Sequence, residues 1–204
     1  MKKYLFIIPV VFLSLLLLNC ETGSKYDLPS QVQGIITDEQ LDQLKEHGLP
    51  INEGLTPPNI EGIYLADTLI CTYDSGGGFE GTPIKDYYYK IENQTDQNTV
   101  TFSYMTWDGS SEALGKGSFI SGSDQSFTLF VEVEGTSYGD PDINFKQVKV
   151  YSGTFTSEGI AYWNYGFILT YKSDDPYHDM MDVNDHRIID EQDDLASNAT
   201  WPEL

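Results

Sequence analysis

Basic side chains and cysteine are scarce in this 204-residue sequence: 11 Lys and Arg stand against 32 Asp and Glu, and there are two cysteines. The formal charge of −21 at pH 7 repels phosphate backbones and anionic headgroups, which excludes nucleic acid as a partner. Two cysteines cannot build the disulfide framework on which small secreted domains rely. His178 and His186 are too isolated in sequence to compose a zinc site. No His-Glu-x-x-His helix occurs, so that common metallohydrolase signature is missing. Beyond Leu18 no apolar run is long enough to span a bilayer.

What is present starts at the N-terminus. Met1-Lys2-Lys3 is followed by Tyr4 to Leu18, which carries no charge and stops at Asn19-Cys20. The run is shorter than the roughly 20 residues a spanning helix needs and has no basic stop-transfer flank. It reads as an export signal, residues 1–19. Leu17-Leu18-Asn19-Cys20 resembles the lipobox of bacterial lipoproteins, with Asn19 in place of the usual small residue. The resemblance implies a diacylglycerol thioether on Cys20, cleavage before it, and a membrane partner engaged through acyl chains. At about 0.8 kcal/mol per buried methylene, two or three such chains anchor a domain without any spanning helix. Cys71 would then be the one remaining thiol; in Leu69-Ile70-Cys71 it reads as a small core residue and not as a nucleophile.

Composition divides the rest. Residues 20–36 are expected as a polar tether from Cys20. A short helix follows, with Thr37 as N-cap, Gln40 as its capping-box partner, Ile36 and Leu41 as a hydrophobic staple, and Gly48 as terminator. Its narrow apolar edge, Leu41 and Leu44, predicts a spacer and not a core element. Together with the extended, proline-rich stretch through Pro57-Pro58, it makes a 37–58 lead-in.

Residues 59–204 form a third region. From Ile60 the apolar period becomes two: Tyr87, Tyr89 and Ile91; Val100, Phe102 and Tyr104; Phe127, Leu129, Val131 and Val133; Trp163, Tyr165, Phe167 and Leu169. Each set implies one dry and one wet face. Gly166 is expected at a bend or bulge. Turn signals between the runs give eight or nine strands, near 60–66, 68–73, 86–92, 99–106, 113–120, 126–134, 146–156, 160–172 and 186–190, then an acidic C-terminal segment. The expected fold is all-β, a single antiparallel barrel preceded by one short helix, with a β-sandwich as the alternative.

Asp38-Glu39-Gln40-Leu41, Ile51-Asn52-Glu53-Gly54, Pro57 to Tyr64 and Gly117 to Ser123 resemble segments of Bacteroidota lipoproteins that carry no assigned activity. Gly62-Ile63-Tyr64 resembles the Gly-x-Trp opening of lipocalins and other calycins, with Tyr for Trp. These resemblances imply an outer-membrane lipoprotein with a calycin-like barrel, and they transfer no catalytic residue.

Candidate chemistry is sparse. Gly76-Gly77-Gly78-Phe79-Glu80-Gly81 matches G-x-G-x-x-G literally, but Pro83 follows where a phosphate-binding helix would have to begin, so it reads as a loop. Asp140-Pro141-Asp142-Ile143-Asn144 starts like a calcium loop and then departs from it at Phe145 and Tyr151. The carboxylates between Asp174 and Asp194 read as solvated charge, with an irregular calcium site as the alternative. No cofactor, metal or catalytic residue is assigned. The aromatic excess, 14 Tyr, 10 Phe and 3 Trp, is the one positive signal. Tyr88, Trp107 and Tyr138, read as outward or in turns, are the candidate ligand contacts for a glycan or small apolar molecule. The expectation is a non-enzymatic envelope binding protein; the alternatives are an accessory subunit docking on an envelope protein and a hydrolase using paired carboxylates.

Overall fold

The computed structural model describes residues 24–109, 112–138 and 140–202; the expected signal segment and Cys20 lie outside them. Eleven strands are present among these residues: β1 (Gly62–Ala66), β2 (Leu69–Asp74), β3 (Tyr87–Glu92), β4 (Thr99–Thr106), β5 (Glu112–Leu114), β6 (Ser118–Ser123), β7 (Ser126–Ser137), β8 (Ile143–Phe155), β9 (Gly159–Lys172), β10 (His186–Glu191) and β11 (Leu195–Asn198). Eight of them, β1, β3, β4, β6, β7, β8, β9 and β11, close an antiparallel barrel. No described helix is long and apolar enough to cross a membrane.

Closure rests on β11, which the alternation pattern did not reveal. Tyr64 and Leu65 of β1 pair with Asn198 and Ser197, while Ala161, Ile160 and Gly159 of β9 pair with Leu195, Ala196 and Ser197. Four residues hydrogen-bonded on both edges convert an open sheet into a ring, and this removes the sandwich alternative. Gly159 makes the approach feasible: its φ is +145°, and a Cβ there would stand 2.2 Å from the Ala196 carbonyl oxygen.

Three ring positions are built from interrupted strands. β1 and β2 are successive parts of one, broken at Asp67-Thr68, and β10 and β11 of another, since both pair with β9 and then with β2 and β1 respectively. β5 and β6 share the third, both pairing with β4; the single strand expected over 113–120 is therefore two, separated by Gly115 and Gly117. Beyond β2 the 81–84 segment stands in for a neighbour, with Cys71 N–H donating to the Thr82 carbonyl at 3.0 Å and Ile84 N–H to that of Leu69 at 2.8 Å.

The period-two residues point inward as predicted. Tyr64, Tyr89, Phe102, Phe127, Tyr151 and Trp163 are all fully buried and form one continuous inner core. Tyr151 stacks on Trp163 with centroids 5.2 Å apart, and Tyr89 lies 4.9 Å from Trp163. Cys71 is buried, as expected of a core thiol, and its Sγ–H donates to the Tyr73 carbonyl.

The outer face differs from expectation. Phe130, Val148, Val150, Ile168 and Ile188 point away from the interior but are dry, because the N-terminal segment lies over them. Tyr26, Leu28, Val32 and Ile36 are part of that cover, so the described part of the expected tether is packed structure. Its polar composition hid four well-spaced apolar side chains. Helix α1 (Asp38–Glu46) has the predicted capping box, with Gln40 N–H on Thr37 Oγ1 at 3.2 Å and Thr37 N–H on Gln40 Oε1 at 3.0 Å. It is nonetheless a core element: Leu41 and Leu44 are buried, and Leu49 joins them after the turn at Gly48. Gly166 is where the helix seats. A Cβ there would meet Ile188 Cδ1 at 2.8 Å and Leu44 Cδ2 at 2.9 Å. The register shifts of β9 fall on either side of Gly166, between its Tyr171 and Leu169 pairings and between its Asn164 and Ala161 pairings. Gly166 thus serves close approach and not a bulge.

The proline-rich lead-in then crosses the outside of β6–β8 on hydroxyls. Asn52 N–H donates to Thr128 Oγ1 at 2.7 Å, Ser121 Oγ–H to the Asn52 carbonyl at 2.6 Å, and Ser152 Oγ–H to that of Pro50 at 2.5 Å. These bonds explain why Ser121, Thr128 and Ser152 are buried. Leu44→Ala should cost about 2–5 kcal/mol of unfolding free energy, and Gly166→Val should lift the helix off the barrel. Urea unfolding of both variants, with protease susceptibility of residues 24–49, checks this; an unfolding midpoint equal to wild type in both would mean the segment contributes nothing to the fold.

Candidate site at the mouth of the barrel

The barrel is filled at one end and open at the other. At the closed end Ile60, Phe127, Ile160 and Trp163 pack to full burial. At the end where β8 begins and β9 finishes, a cavity of about 590 Å³ opens above the aromatic core. Tyr87, Tyr165 and Phe167 face it from β3 and β9, with Ile84, Leu169 and Ile189 between them. Gln147 and Lys149 face it from β8 and Arg187 from β10; the rim is made by the 76–79 and 178–182 loops and Asp185. The volume lies within the range of small-molecule sites, and the lining is mixed, with apolar and aromatic walls and a polar, charged rim.

Local chemistry explains each wall. Asp74, whose side chain is fully buried, accepts from Arg187 Nε at 2.9 Å with one oxygen and from the Phe79 backbone N–H at 3.1 Å with the other. The guanidinium carbon of Arg187 sits 3.9 Å from the Phe79 ring centroid. The glycine-rich loop is thereby folded against β10 as one wall of the cavity, and a bridge between Ile70 and Pro83 follows it in place of a helix. On the opposite rim the buried carboxylate of Asp175 accepts from Lys172 Nζ at 2.9 Å and from the backbone N–H groups of Asp179 and Met180 at 2.9 and 3.2 Å. Part of the acidic C-terminal run is thus structural, holding the β9–β10 loop over the mouth.

Electrostatics inside the mouth are unusual for so acidic a chain. Lys149 Nζ lies 4.3 Å from the Tyr104 ring centroid and 5.8 Å from those of Tyr165 and Phe167. Burial holds the Tyr165 hydroxyl far above its ordinary range, so it remains a neutral donor and acceptor. Burial also raises Tyr87, an effect that the neighbouring Lys149 charge opposes.

The three contacts expected from sequence lie elsewhere. Tyr88 is half-buried and alternates outward between the inward Tyr87 and Tyr89; Trp107 is 64% exposed in the turn after β4, and Tyr138 is 86% exposed after β7. None of them lines the cavity. The missed residues had a signal in β8, where Gln147 and Lys149 share the parity of inward Tyr151 while Val148 and Val150 take the other. Polar residues on the dry parity of a strand mark a barrel end that is not packed shut.

A separate cluster stands at the breaks in the interrupted strands. Carboxylate oxygens of Asp67, Glu191 and Asp193 lie within 4.8 Å of one another. Glu191 is 3% exposed, and it accepts from the Leu195 N–H at 2.5 Å and the Thr68 hydroxyl at 3.4 Å, which ties the two breaks together. Burial first, and then Asp193, push its carboxyl up to about 8; burial and Asp193 raise Asp67 in the same direction. Glu191 is buried whereas Asp67 is half-buried and Asp193 exposed, and the hydrogen bonds of Glu191 tie the trio to the seam.

Comparison with protein-family models, curated proteins and solved structures finds no match for this chain.

An unfolded Glu191 ionises near 4.5, whereas the folded one holds its proton to about 8. Its contribution to stability is therefore complete below pH 4.5 and declines as pH rises from there to about 8. Glu191→Gln should gain on wild type across that interval, read as a widening difference in urea midpoint between pH 5 and pH 8.5. A difference constant with pH would show that the carboxyl titrates normally.

Proposed function

We propose that this is a lipid-anchored protein of the cell envelope whose barrel mouth binds a small molecule with a flat, largely apolar body. The observation that carries the reading is the aromatic cavity standing on a closed aromatic floor. The floor prevents passage through the barrel, and the walls offer ring faces to one guest of modest size. A neutral sugar ring presents C–H faces suited to the same surfaces, so glycans belong to the class to be screened. The accessory-subunit reading, docking through the helix or an exposed strand face, is supported less, because the helix has its apolar face buried against the barrel and the outer faces of β7–β10 beside it are covered by the N-terminal segment. A hydrolase is supported less: in the converging trio among the described residues the central carboxyl, Glu191, is buried and already accepts from the Leu195 N–H and the Thr68 hydroxyl.

Anchorage at Cys20, supported by the lipobox resemblance, has a geometric consequence. Ser24 already belongs to the fold, its hydroxyl donating to Asp38 at 2.6 Å. Four residues of fully extended chain reach at most about 14 Å. The domain would therefore ride close to the lipid surface, in the outer membrane if the lipoprotein resemblance holds, and its acidic exterior would keep it from lying flat on anionic headgroups. Cys20→Ala should move the protein from the membrane fraction to the soluble fraction of the host, and mass spectrometry should find the acylated cysteine in wild type only; unmodified wild-type Cys20 would remove the anchor from the reading.

Ligand capacity is tested with N-phenyl-1-naphthylamine, a neutral aromatic dye. Wild type should enhance its fluorescence saturably with about one site per chain. Leu169→Trp, which fills the cavity from β9, should weaken binding about tenfold or more while far-ultraviolet circular dichroism stays unchanged. Absence of saturable binding by wild type would overturn the proposed function.

A further inference from the structure

Among the described residues, each basic side chain except Lys45 and Lys149 has a carboxylate oxygen within 4.0 Å. Lys45 is exposed on α1, where it meets the Tyr26 ring in solvent. Lys149 is different: it is half-buried, faces inward, and is surrounded by the rings of Tyr104, Tyr165 and Phe167. In a chain with 32 acidic residues, a cation inside this aromatic-walled cavity has no carboxylate partner among the described residues. Ring faces attract an ammonium but accept its N–H groups weakly, so three strong donors point into the site without a full complement of acceptors.

The rim acids do not supply them. Asp182 pairs with Lys172 at 3.0 Å, Asp185 accepts from the Asp182 N–H at 2.9 Å, and Asp179 is exposed. Arg187, the other cation of the mouth, is engaged by Asp74. The site is therefore positive at depth and negative at its edge. That polarity admits a single anionic group carried inward on an apolar body, and it repels polyanions such as nucleoside phosphates at the entrance.

We propose that the ligand of the mouth is an amphipathic organic monoanion, a carboxylate or sulfonate whose head is received by Lys149 Nζ and whose apolar body lies against Tyr87, Tyr165 and Phe167. This rests on the binding role proposed above and specifies its ligand class. A charge-assisted hydrogen bond in a partly water-excluded site is stronger than a neutral one, so the anion should be preferred over its uncharged analogue by a measurable ratio.

The experiment compares 1-anilinonaphthalene-8-sulfonate with N-phenyl-1-naphthylamine, which has the same ring system without the sulfonate, on the purified protein. Wild type should bind the sulfonate at least about tenfold more tightly. Lys149→Met, which keeps an apolar stem in place, should bind the two dyes with equal affinity; Lys149→Arg should retain the preference. Dodecanoate should displace the bound sulfonate dye at lower concentration than dodecanol. Equal affinity of wild type for the two dyes, or a Lys149→Met variant that keeps the preference, would overturn the monoanion assignment while leaving the ligand-binding role intact. Failure of both dyes to bind would overturn both.

Discussion

A barrel of this kind depends on hydrogen bonds that no single strand can complete alone. Between β1 and β9 stands one short strand, β11, whose backbone groups are paired on both sides. Without it the sheet would present two unpaired edges, and the inner aromatic residues would have a cleft where they now have a closed wall. The approach is so tight that a side chain at Gly159 would collide with the Ala196 carbonyl. Glu191, four residues before β11 begins at Leu195, accepts from the Leu195 N–H and so fixes where the strand starts. A buried carboxyl thus governs the seam, through a hydrogen bond made to the backbone and not through charge.

Interruption of the strands follows from the same closure and produces the open mouth. At the closed end the ring is completed by β1 and β11, and large aromatic side chains fill the interior. At the other end the corresponding positions are taken by β2 and β10, and β2 pairs outward with the 81–84 segment instead of with β3. There the interior is not filled by aromatic packing, and polar side chains are tolerated at inward positions. Gln147 and Lys149 occupy the strand levels above Tyr151, where packing gives way to cavity.

Much of the architecture was legible because alternation reports which side of a strand is dry. The inward sets of β3, β4, β7 and β9 were all readable from their own sequence, as was the capping box of α1, which is local chemistry. What was not legible has a physical explanation in each case. Leu195 to Asn198 is too short and too mixed to show a period, yet it matters most for topology. Outward Phe130, Val148 and Ile168 would look like exposed apolar residues until a partner segment from 26–51 is placed on them, and that contact is long-range. The cavity was not legible because it is concave and its aromatics sit on the same parity as the core, whereas Tyr88, Trp107 and Tyr138 lie outside it. Lys149 was readable only once Tyr151 was known to point inward.

The N-terminal segment and the mouth are joined through adjacent residues of the same strands. Val148 and Val150 face outward under the segment, and between them Lys149 faces inward to the cavity. On β9, Ile168 contacts the outer cluster while Phe167 and Leu169 line the site. Because successive strand residues alternate sides, rigidity imposed on the outer ones is passed to the inner ones without any intervening loop. Close-packed surfaces resist small displacements, so the outer cluster that includes Val148 and Val150 holds the backbone that aims Lys149 at its three rings. The segment nearest the expected anchor is therefore also the outer support of the cavity wall, and the position of the ammonium depends on packing that begins at Tyr26.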